Sequence, residues 1–310
     1  MAVEIAVKNN FSTECTGELR VANIVITGCS SGFGYHAALA FARNGDRVLA
    51  TMRNVERAAP LLQAAADESL EIHAETLDVT CSKNFPSFFA SVEDNFGAVD
   101  VLVNNAGILR PGALEDLSEA QIREVMETNV LGPLLLTRSV LPYMRQRKRG
   151  YVIMVSSLSG IAGLPGDVSY TASKFALEGA TEALRHEVDR WNIRLSLVQA
   201  GMYATNIVPG PGEQQSVLPD YYPEDSPYRL LIENNLEKLH ARAGEAFDPA
   251  TVAQLLVKIA HSDGSQLRWP ADDVARMVLG KMLAQDDSER DSFLRQVADS
   301  EWWSEGTDPA

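Results

Sequence analysis

The sequence predicts an α/β protein built on a doubly wound parallel sheet, with helices covering both faces. Short β-branched apolar runs alternate with helical patterns along the first two hundred residues, and the first of these runs ends in a glycine-rich turn that opens a helix. Such alternation is typical of parallel strands joined by helical crossovers. The chain has 310 residues, 45% of them hydrophobic, so a sizeable core is available. Ligands of this fold class bind at the carboxyl ends of the strands.

The predicted elements follow one another in a regular order. Six strands are expected: VANIVITG (21–28), DRVLATMR (46–53), LEIHAETLDV (70–79), VDVLVNNAG (99–107), GYVIMVSS (150–157) and IRLSLVQAG (193–201). A long helical region is predicted from about Ser118, where SEAQ resembles an N-cap signal, and Pro142 is expected to interrupt or bend it. Another helix is predicted from Ser169 to Trp191. SQLRWP (265–270) is predicted as a last edge strand between further helical stretches.

One domain accounts for most of the chain. Residues 1–20 are predicted to be an N-terminal extension, and 21–310 the single domain. Within it, 202–245 is rich in proline and glycine, and a segment of this kind predicts a lid over a substrate. The first twenty residues lack the basic start and apolar run of a signal peptide, and no stretch of about eighteen apolar residues occurs.

The charge and the cysteine content of the sequence argue against several classes of protein. The net charge of −15 argues against a nucleic-acid partner, which would need a basic face. Three cysteines without paired spacing argue against disulfides and against a zinc site, and the five histidines show no metal-ligand spacing. We therefore expect no bound metal, no membrane association and a cytoplasmic location.

The segment TGCSSGFG (27–34) predicts a dinucleotide site. It follows a strand and opens a helix, so Gly28, Gly32 and Gly34 would let the backbone approach a pyrophosphate at the helix N-terminus. The second strand ends LATMRN, with no acid for a ribose 2′-hydroxyl, and Arg53 could pair with a 2′-phosphate. This pattern favours NADP(H), with NAD(H) possible.

With TGCSSGFG, NNAG (104–107) and YTASK (170–174) in this order, the chain resembles the short-chain dehydrogenase/reductase family from about residue 21 to 205. The likeness implies a Rossmann fold and is greatest to the branch of 17β-hydroxysteroid and retinol dehydrogenases. It implies four catalytic residues: Asn129, Ser157, Tyr170 and Lys174. In one departure from the family pattern PGxxxT, Ala200 stands where proline is usual, while Gly201 and Thr205 remain.

The resemblance also implies a cofactor-binding set and a substrate-binding set. Ser31 and Arg53 would hold the 2′-phosphate, and Asp78 would contact the adenine. The full cofactor set is Gly28, Ser30, Ser31, Gly32, Phe33, Gly34, Arg53, Asp78, Val79, Asn105, Ala106, Gly107, Tyr170, Lys174, Gly201 and Thr205. The substrate set is Ser157, Tyr170, Met202 and Tyr203. The family commonly forms dimers or tetramers through the helix after Tyr170, so a homodimer or homotetramer is expected.

Tyr170 and Lys174 lie four residues apart, which places them on one face of a helix. A phenol with its ordinary pKa of about 10 is a poor base at neutral pH, and a neighbouring cation lowers that pKa. We therefore expect Tyr170 to be the general acid/base and Ser157 to bond the substrate oxygen. Lys174 would hold the ribose, and Asn129 would anchor a water.

These residues predict an oxidoreductase that transfers a hydride between NADP(H) and a hydrophobic secondary alcohol or ketone. Two alternatives stay open. One is a catalytically silent protein that senses NAD(P) on the same fold, against which the intact Ser157, Tyr170 and Lys174 argue. The other is an epimerase or dehydratase, whose relatives have a fuller substrate domain. The apolar side chains of the predicted lid favour an apolar substrate pocket.

Overall fold

The fold is a seven-stranded, fully parallel sheet with helices on both faces. The computed structural model describes residues 21–203, 205, 207, 217–243, 247–305 and 307. The strands pair in the order β3-β2-β1-β4-β5-β6-β7, with the order reversing beside β1. Their bounds are β1 Asn23–Thr27, β2 Arg47–Met52, β3 Ile72–Thr76, β4 Val101–Asn104, β5 Gly150–Ser157, β6 Ile193–Ala200 and β7 Arg268–Pro270. The predicted doubly wound sheet is therefore confirmed.

The helices occupy the connections between strands and the C-terminal region. Up to β6 they are α1 Gly32–Arg43, α2 Ala59–Asp67, α3 Phe85–Asn95, α4 Glu119–Met126, α5 Gly132–Arg147 and α6 Val168–Val188. Beyond β6 they are α7 Arg229–Ala243, α8 Pro249–Ala260, α9 Asp273–Ala284, α10 Asp287–Ala298 and α11 Glu301–Glu305. The predicted start at Ser118 is confirmed, because its side chain and that of Gln121 form a reciprocal capping box.

Two apolar cores lie on opposite faces of the sheet, because successive strand residues point to opposite sides. Ile24 and Ile26 of β1 belong to the core beneath α1 and α8, where Phe41 is fully buried. Val25 belongs to the other core, which α3, α5 and α6 cover and to which Phe89 contributes. Burial on both faces explains why these strands read as continuous apolar runs.

The long helical region is interrupted at a place other than Pro142. Helix α5 continues through Pro142 to Arg147, so this proline does not interrupt the helix, while the bend expected there as the alternative stays a prediction. The break lies upstream, where Glu127–Leu131 forms a π-helical turn between α4 and α5. Such turns insert a residue into a helix and occur frequently at functional sites. The turn contains Asn129.

Part of the predicted lid lies in the described residues. Leu218, Tyr222, Ile232 and Leu236 form a small core of their own. The N-terminal extension, 1–20, and parts of 202–245 lie outside the described residues. Among the residues that are described, no helix combines the length and apolarity that crossing a membrane requires.

Candidate active site

The glycine turn lies between β1 and α1, at the carboxyl end of the sheet. Gly28 has φ +75 and Gly32 has φ +56, conformations that favour glycine. A Cβ at Gly34 would lie 2.4 Å from the Gly28 carbonyl oxygen, so no larger residue fits without a shift. Ser31 occupies the N-cap of α1 in extended geometry, and its side chain makes no capping hydrogen bond. The first-turn amides of α1 therefore lack a side-chain cap and can bind an anion.

The NNAG segment braces this turn from β4. The backbone amides of Asn105 and Ala106 both donate to Thr27 Oγ1 at 3.0 Å. The Asn105 side chain donates to the carbonyl oxygens of Thr27 and Gly28, at 2.8 Å and 3.2 Å. The predicted residues of the two motifs thus form one hydrogen-bonded unit, and Thr27 is the residue that joins them.

A surface pocket beside the glycine turn is positively charged, because two arginines line it. It has a volume of about 270 Å³ and is lined by Ser30, Met52, Arg53, Asn54 and Arg57. Among the described residues, neither arginine side chain makes a hydrogen bond or an ion pair. Arg53 was predicted to lie here, whereas Arg57 was missed. The signal in the sequence was the spacing of four residues between the two arginines after β2.

Tyr170 and Lys174 lie one turn apart in α6, and both are buried, with 8% and 4% of their surface exposed. The ammonium lies 5.6 Å from the centre of the phenol ring and donates to the Val155 carbonyl oxygen at 2.8 Å. An ammonium carries three donors, so two protons remain for other acceptors. Ser157, which ends β5, interacts with the phenol through its side chain and lowers the pKa of Tyr170.

Burial raises the pKa of Tyr170 to about 12, the Ser157 hydrogen bond lowers it, and the charge of Asp167 raises it. The expectation that a neighbouring cation lowers the pKa of Tyr170 is therefore wrong for the protein without bound cofactor, because desolvation of the phenolate outweighs the effect of the nearby cation. Burial lowers the pKa of Lys174 to about 8, while the Glu178 carboxylate raises it. Lys174 consequently stays mostly protonated at neutral pH.

Asn129 is buried in the π-turn with its side chain fully engaged. Its Oδ1 accepts from the Ile108 amide at 2.9 Å, and its Nδ2 donates to the Ile108 carbonyl oxygen and to Ser173 Oγ. Ser173 Oγ in turn donates to the Tyr170 carbonyl oxygen at 2.6 Å. Both amide protons of Asn129 are used in this way, and the water expected at this residue stays a prediction.

The NNAG segment also reaches the catalytic helix. A Cβ placed on Gly107 would lie 3.4 Å from Asn129 Oδ1 and 3.8 Å from Lys174 Nζ. Gly107, Asn129 and Lys174 therefore lie together.

The loop after β6 lies over the glycine turn. A Cβ on Gly32 would lie 3.4 Å from the side chain of Thr205, which places Thr205 beside the predicted cofactor site. The Tyr203 ring meets Phe33 edge-on at 5.2 Å, and its hydroxyl donates to Asp272 at 2.9 Å. Tyr203 is thus placed as a support for the turn. Asp272, which the sequence did not single out, also accepts from the amide of Gly201 at 3.3 Å.

The remaining predicted residues lie near the ends of β3 and β6. Asp78 Oδ1 accepts from the amide and hydroxyl of Thr80, and this bond shapes the loop after β3. Val79 is buried, and a Cβ on Gly132 would lie 2.7 Å from its carbonyl oxygen. Met202 is half-buried, and its carbonyl accepts from the Phe247 amide at 3.3 Å.

A buried charge network below Lys174 was missed. Glu178, one turn further along α6, is buried and pairs with Arg268 of β7 at 2.9 Å. Its other oxygen accepts from Gln199 at 3.1 Å. The sequence could have indicated this network through the spacing of four residues between Lys174 and Glu178, although that spacing is common on exposed helices as well.

The comparisons with known proteins agree with this geometry. A model of the short chain dehydrogenase family matches residues 22–216. This chain belongs to the short-chain dehydrogenase/reductase family. Over 258 residues it is 36% identical to the uncharacterized oxidoreductase YusZ of Bacillus subtilis, covering 82% of this chain and 90% of that protein. It is 36% identical to human retinol dehydrogenase 8, covering 79% of each chain.

Further similarity comes from a steroid enzyme and from solved structures. The chain is 35% identical to mouse 17-beta-hydroxysteroid dehydrogenase type 1, over 79% of this chain and 72% of that one. A short-chain dehydrogenase from Streptomyces avermitilis superposes with a TM-score of 0.74 at 33% identity, covering 93% and 98% of the two chains. A metagenomic family member in complex with NADP gives a TM-score of 0.62 at 26% identity, covering 80% and 95%. The protein is an NAD(P)-dependent oxidoreductase of this family.

The residues present fit such a dinucleotide. The uncapped N-terminus of α1 offers amides to a pyrophosphate, and the arginine pocket beside it can hold a further anion. Lys174 keeps two donors for hydroxyl groups.

Proposed function

We propose that the protein interconverts a mainly apolar secondary alcohol and its ketone with NADP(H), using Tyr170 as the general acid/base. The observation that carries this proposal is the buried pair of Tyr170 and Lys174 on α6, with Ser157 close enough to the phenol to lower its pKa. Buried titratable groups with shifted pKa values are typical of catalytic sites. When bound, the nicotinamide would supply or accept the hydride.

The protein's own residues would manage the proton. In the reducing direction Tyr170 Oη gives its proton to the substrate oxygen, and in the oxidising direction it takes the alcohol proton. Ser157 hydrogen-bonds the same substrate oxygen, where negative charge develops. The Lys174 ammonium holds hydroxyl groups with its two remaining donors and stabilises the phenolate. Because burial raises the pKa of Tyr170 to about 12, the phenol is protonated at neutral pH in the protein without cofactor, which is the form that the reducing direction requires.

The decisive test compares Tyr170→Phe with the wild type. The variant should lose at least about a thousandfold in kcat, since general acid–base catalysis contributes about 10²–10⁴-fold and the phenol also orients the substrate. NADPH binding, followed by fluorescence, should stay within about threefold, because only one hydroxyl is removed. Thr171→Val, which alters the next hydroxyl along α6, is the matched control. A Tyr170→Phe variant with near-wild-type kcat would refute the assignment.

The preference for NADP(H) is supported by the arginine pocket. A 2′-phosphate brings about two negative charges, and each charge-assisted hydrogen bond to it would contribute about 1.5–3 kcal/mol. Arg53 and Arg57 have no competing carboxylate partner among the described residues. β2 also ends at Met52 without the acid that recognises a free ribose.

The test is a set of dissociation constants for NADPH and NADH. Arg53→Ala and Arg57→Ala should each weaken NADPH by about tenfold or more and leave NADH within about twofold, since a charged hydrogen bond is lost only with the phosphate. Arg138→Ala, an exposed arginine on α5, is the control. Equal losses of affinity for NADPH and NADH would show that these arginines do not bind the 2′-phosphate.

We propose that 202–245 forms the lid over the substrate. In its described part, Tyr221 donates to the Pro111 carbonyl oxygen at 2.9 Å, and Tyr222 and Ser226 both donate to Asp116. These bonds fasten the lid to the loop that follows β4. Partial proteolysis with and without NADPH and ketone tests the idea, since a lid should be protected when both are present.

We also propose a homodimer or homotetramer formed through α6. Ala172, Phe175, Gly179 and Ala183 are exposed on this helix, and 44% of the Phe175 surface is accessible. Small residues allow close helix approach, and a Cβ on Gly179 would meet nothing within 4 Å. Gly179→Arg should therefore shift the mass measured by light scattering to the monomer.

A further inference from the structure

Asp167 occupies the N-cap position of the catalytic helix α6 without capping it. Its side chain makes no hydrogen bond to the first turn of the helix. Among the described residues its carboxylate also has no hydrogen bond and no ion pair. The guanidinium of Arg110, on the facing loop, is bound through two nitrogens to Glu124, each at 2.9 Å. That cation is therefore already neutralised.

The backbone fixes where this carboxyl lies. Asp167 pairs with Gly112 in a parallel bridge, and the Gly112 amide donates to the Gly166 carbonyl oxygen at 2.8 Å. The preceding residues lie under the lid helix α7, where Asn235 Nδ2 donates to the Pro165 carbonyl oxygen at 3.2 Å. Asp167 thus lies where the catalytic helix, the loop after β4 and the lid meet.

Two tyrosines near this junction are affected by its charge. Burial is the main cause of the raised pKa values of Tyr170 on the catalytic helix and Tyr221 on the lid side, and the charge of Asp167 adds to both. Burial in turn raises the pKa of Asp167 to about 7. Asp167 is half-buried and its carboxylate has no protein partner among the described residues, so a ligand can reach it, and a hydrogen-bond donor from that ligand would stabilise its charged form.

We propose that Asp167 is a substrate-recognition residue, whose carboxyl group accepts a hydrogen bond from a hydroxyl or ammonium group that the substrate carries close to its reacting carbon. The inference rests on the proposed function, because Tyr170 defines where the reacting carbon lies. It refines the expectation of an apolar pocket by adding one polar acceptor at the N-cap of the catalytic helix, three residues before Tyr170. A site built to hydrogen-bond a substrate group discriminates strongly against an analogue that lacks it.

The test compares three ketones of one carbon skeleton with NADPH: a plain aromatic ketone, its α-hydroxy analogue and its α-amino analogue. The ratio of kcat/KM for each donor-bearing ketone to the plain one is measured in the wild type, Asp167→Ala and Asp167→Asn. Asp189→Ala, which removes an exposed carboxylate at the other end of α6, is the control. Comparing ratios between variants cancels the intrinsic reactivities of the ketones.

In Asp167→Ala the ratio for at least one donor-bearing ketone should fall about tenfold or more, since a hydrogen bond to a charged group is lost. The plain ketone is the internal reference, because any effect of the lost charge on the pKa of Tyr170 acts on all three ketones alike. Asp167→Asn keeps the shape and one acceptor, so it should retain preference for the hydroxyl ketone and lose preference for the amino ketone. Asp189→Ala should behave as the wild type.

Unchanged ratios in both Asp167 variants, with the plain ketone turned over normally, would overturn this inference and leave the proposed function intact. Absence of turnover of every ketone by the wild type would instead overturn the proposed function and this inference with it. Should Asp167→Ala fail to fold, Asp167→Asn decides: full preference for the amino ketone in that variant would refute the role of the carboxylate.

Discussion

Replacing Lys174 with methionine should stabilise the unliganded protein at neutral pH while it removes activity. Burial lowers the pKa of this ammonium from its ordinary 10.5 to about 8. At about 1.36 kcal/mol per pKa unit, the difference corresponds to about 3.4 kcal/mol of destabilisation wherever the folded state carries the charge. The variant loses the hydrogen bond to the Val155 carbonyl oxygen, a net contribution of about 1 kcal/mol. The free energy of unfolding of the variant should therefore exceed that of the wild type by about 2 kcal/mol.

The sign of the pH dependence follows from the two protonation states. Below pH 8, Lys174 is charged in both the folded and the unfolded chain, and the wild type carries the full destabilisation. Between pH 8 and 10.5 the unfolded chain binds more protons, so wild-type stability rises with pH. The advantage of Lys174→Met should therefore shrink to about zero near pH 10. Tyr170 titrates in both proteins and cancels in the difference.

Urea unfolding of both proteins at pH 7 and pH 10 measures this difference. Methionine is unbranched and apolar, so it can follow the path of the lysine stem. Lys258→Met on the exposed face of α8 is the matched control and should show no convergence with pH. A variant that is less stable than the wild type at pH 7, or a difference that stays constant to pH 10, would refute the reasoning.

Three further predictions concern the scaffold of the site. Gly34→Ala should abolish dinucleotide binding in calorimetry, because its Cβ would lie 2.4 Å from the Gly28 carbonyl oxygen; retained affinity would contradict the tight packing. Cys29 should resist thiol reagents in the folded protein and react only on unfolding, since burial raises its pKa to about 12. Asp272→Ala should cost about 2–4 kcal/mol in urea unfolding, because Tyr203 and two backbone amides lose their acceptor; a loss below about 0.5 kcal/mol would argue against that role.

The sheet and the catalytic motifs could be predicted because their signals are local. A strand buried on both faces is a continuous apolar run, and a glycine turn needs positive φ at fixed positions. The six predicted strands up to residue 201 are present; β5 has the predicted bounds, and the other five are shorter than their apolar patterns. The predicted run 99–107, for example, pairs only over Val101–Asn104, because the chain then turns away to form the site.

The features that were missed depend on contacts between distant parts of the chain. Glu178, which raises the pKa of Lys174, is bonded in the interior by Gln199 and by Arg268, ninety residues away. The pKa of Tyr170 depends on how completely the site is removed from water, which four residues of sequence spacing do not reveal. Pro142 is a strong local signal, yet packing of α5 carries the helix through it.

The π-turn at Glu127–Leu131 determines which residues of the following helix face the core. Thr128, Asn129 and Val130 are buried in succession, whereas an ordinary amphipathic helix buries residues three or four apart. Each residue of an α-helix advances by about 100°, so one added residue rotates everything beyond it by that angle. Deleting a single residue here would restore a regular α-helix and rotate the Asn129 side chain away from its partners. The hydrogen bonds that link Ile108 through Asn129 to the catalytic helix would then be lost.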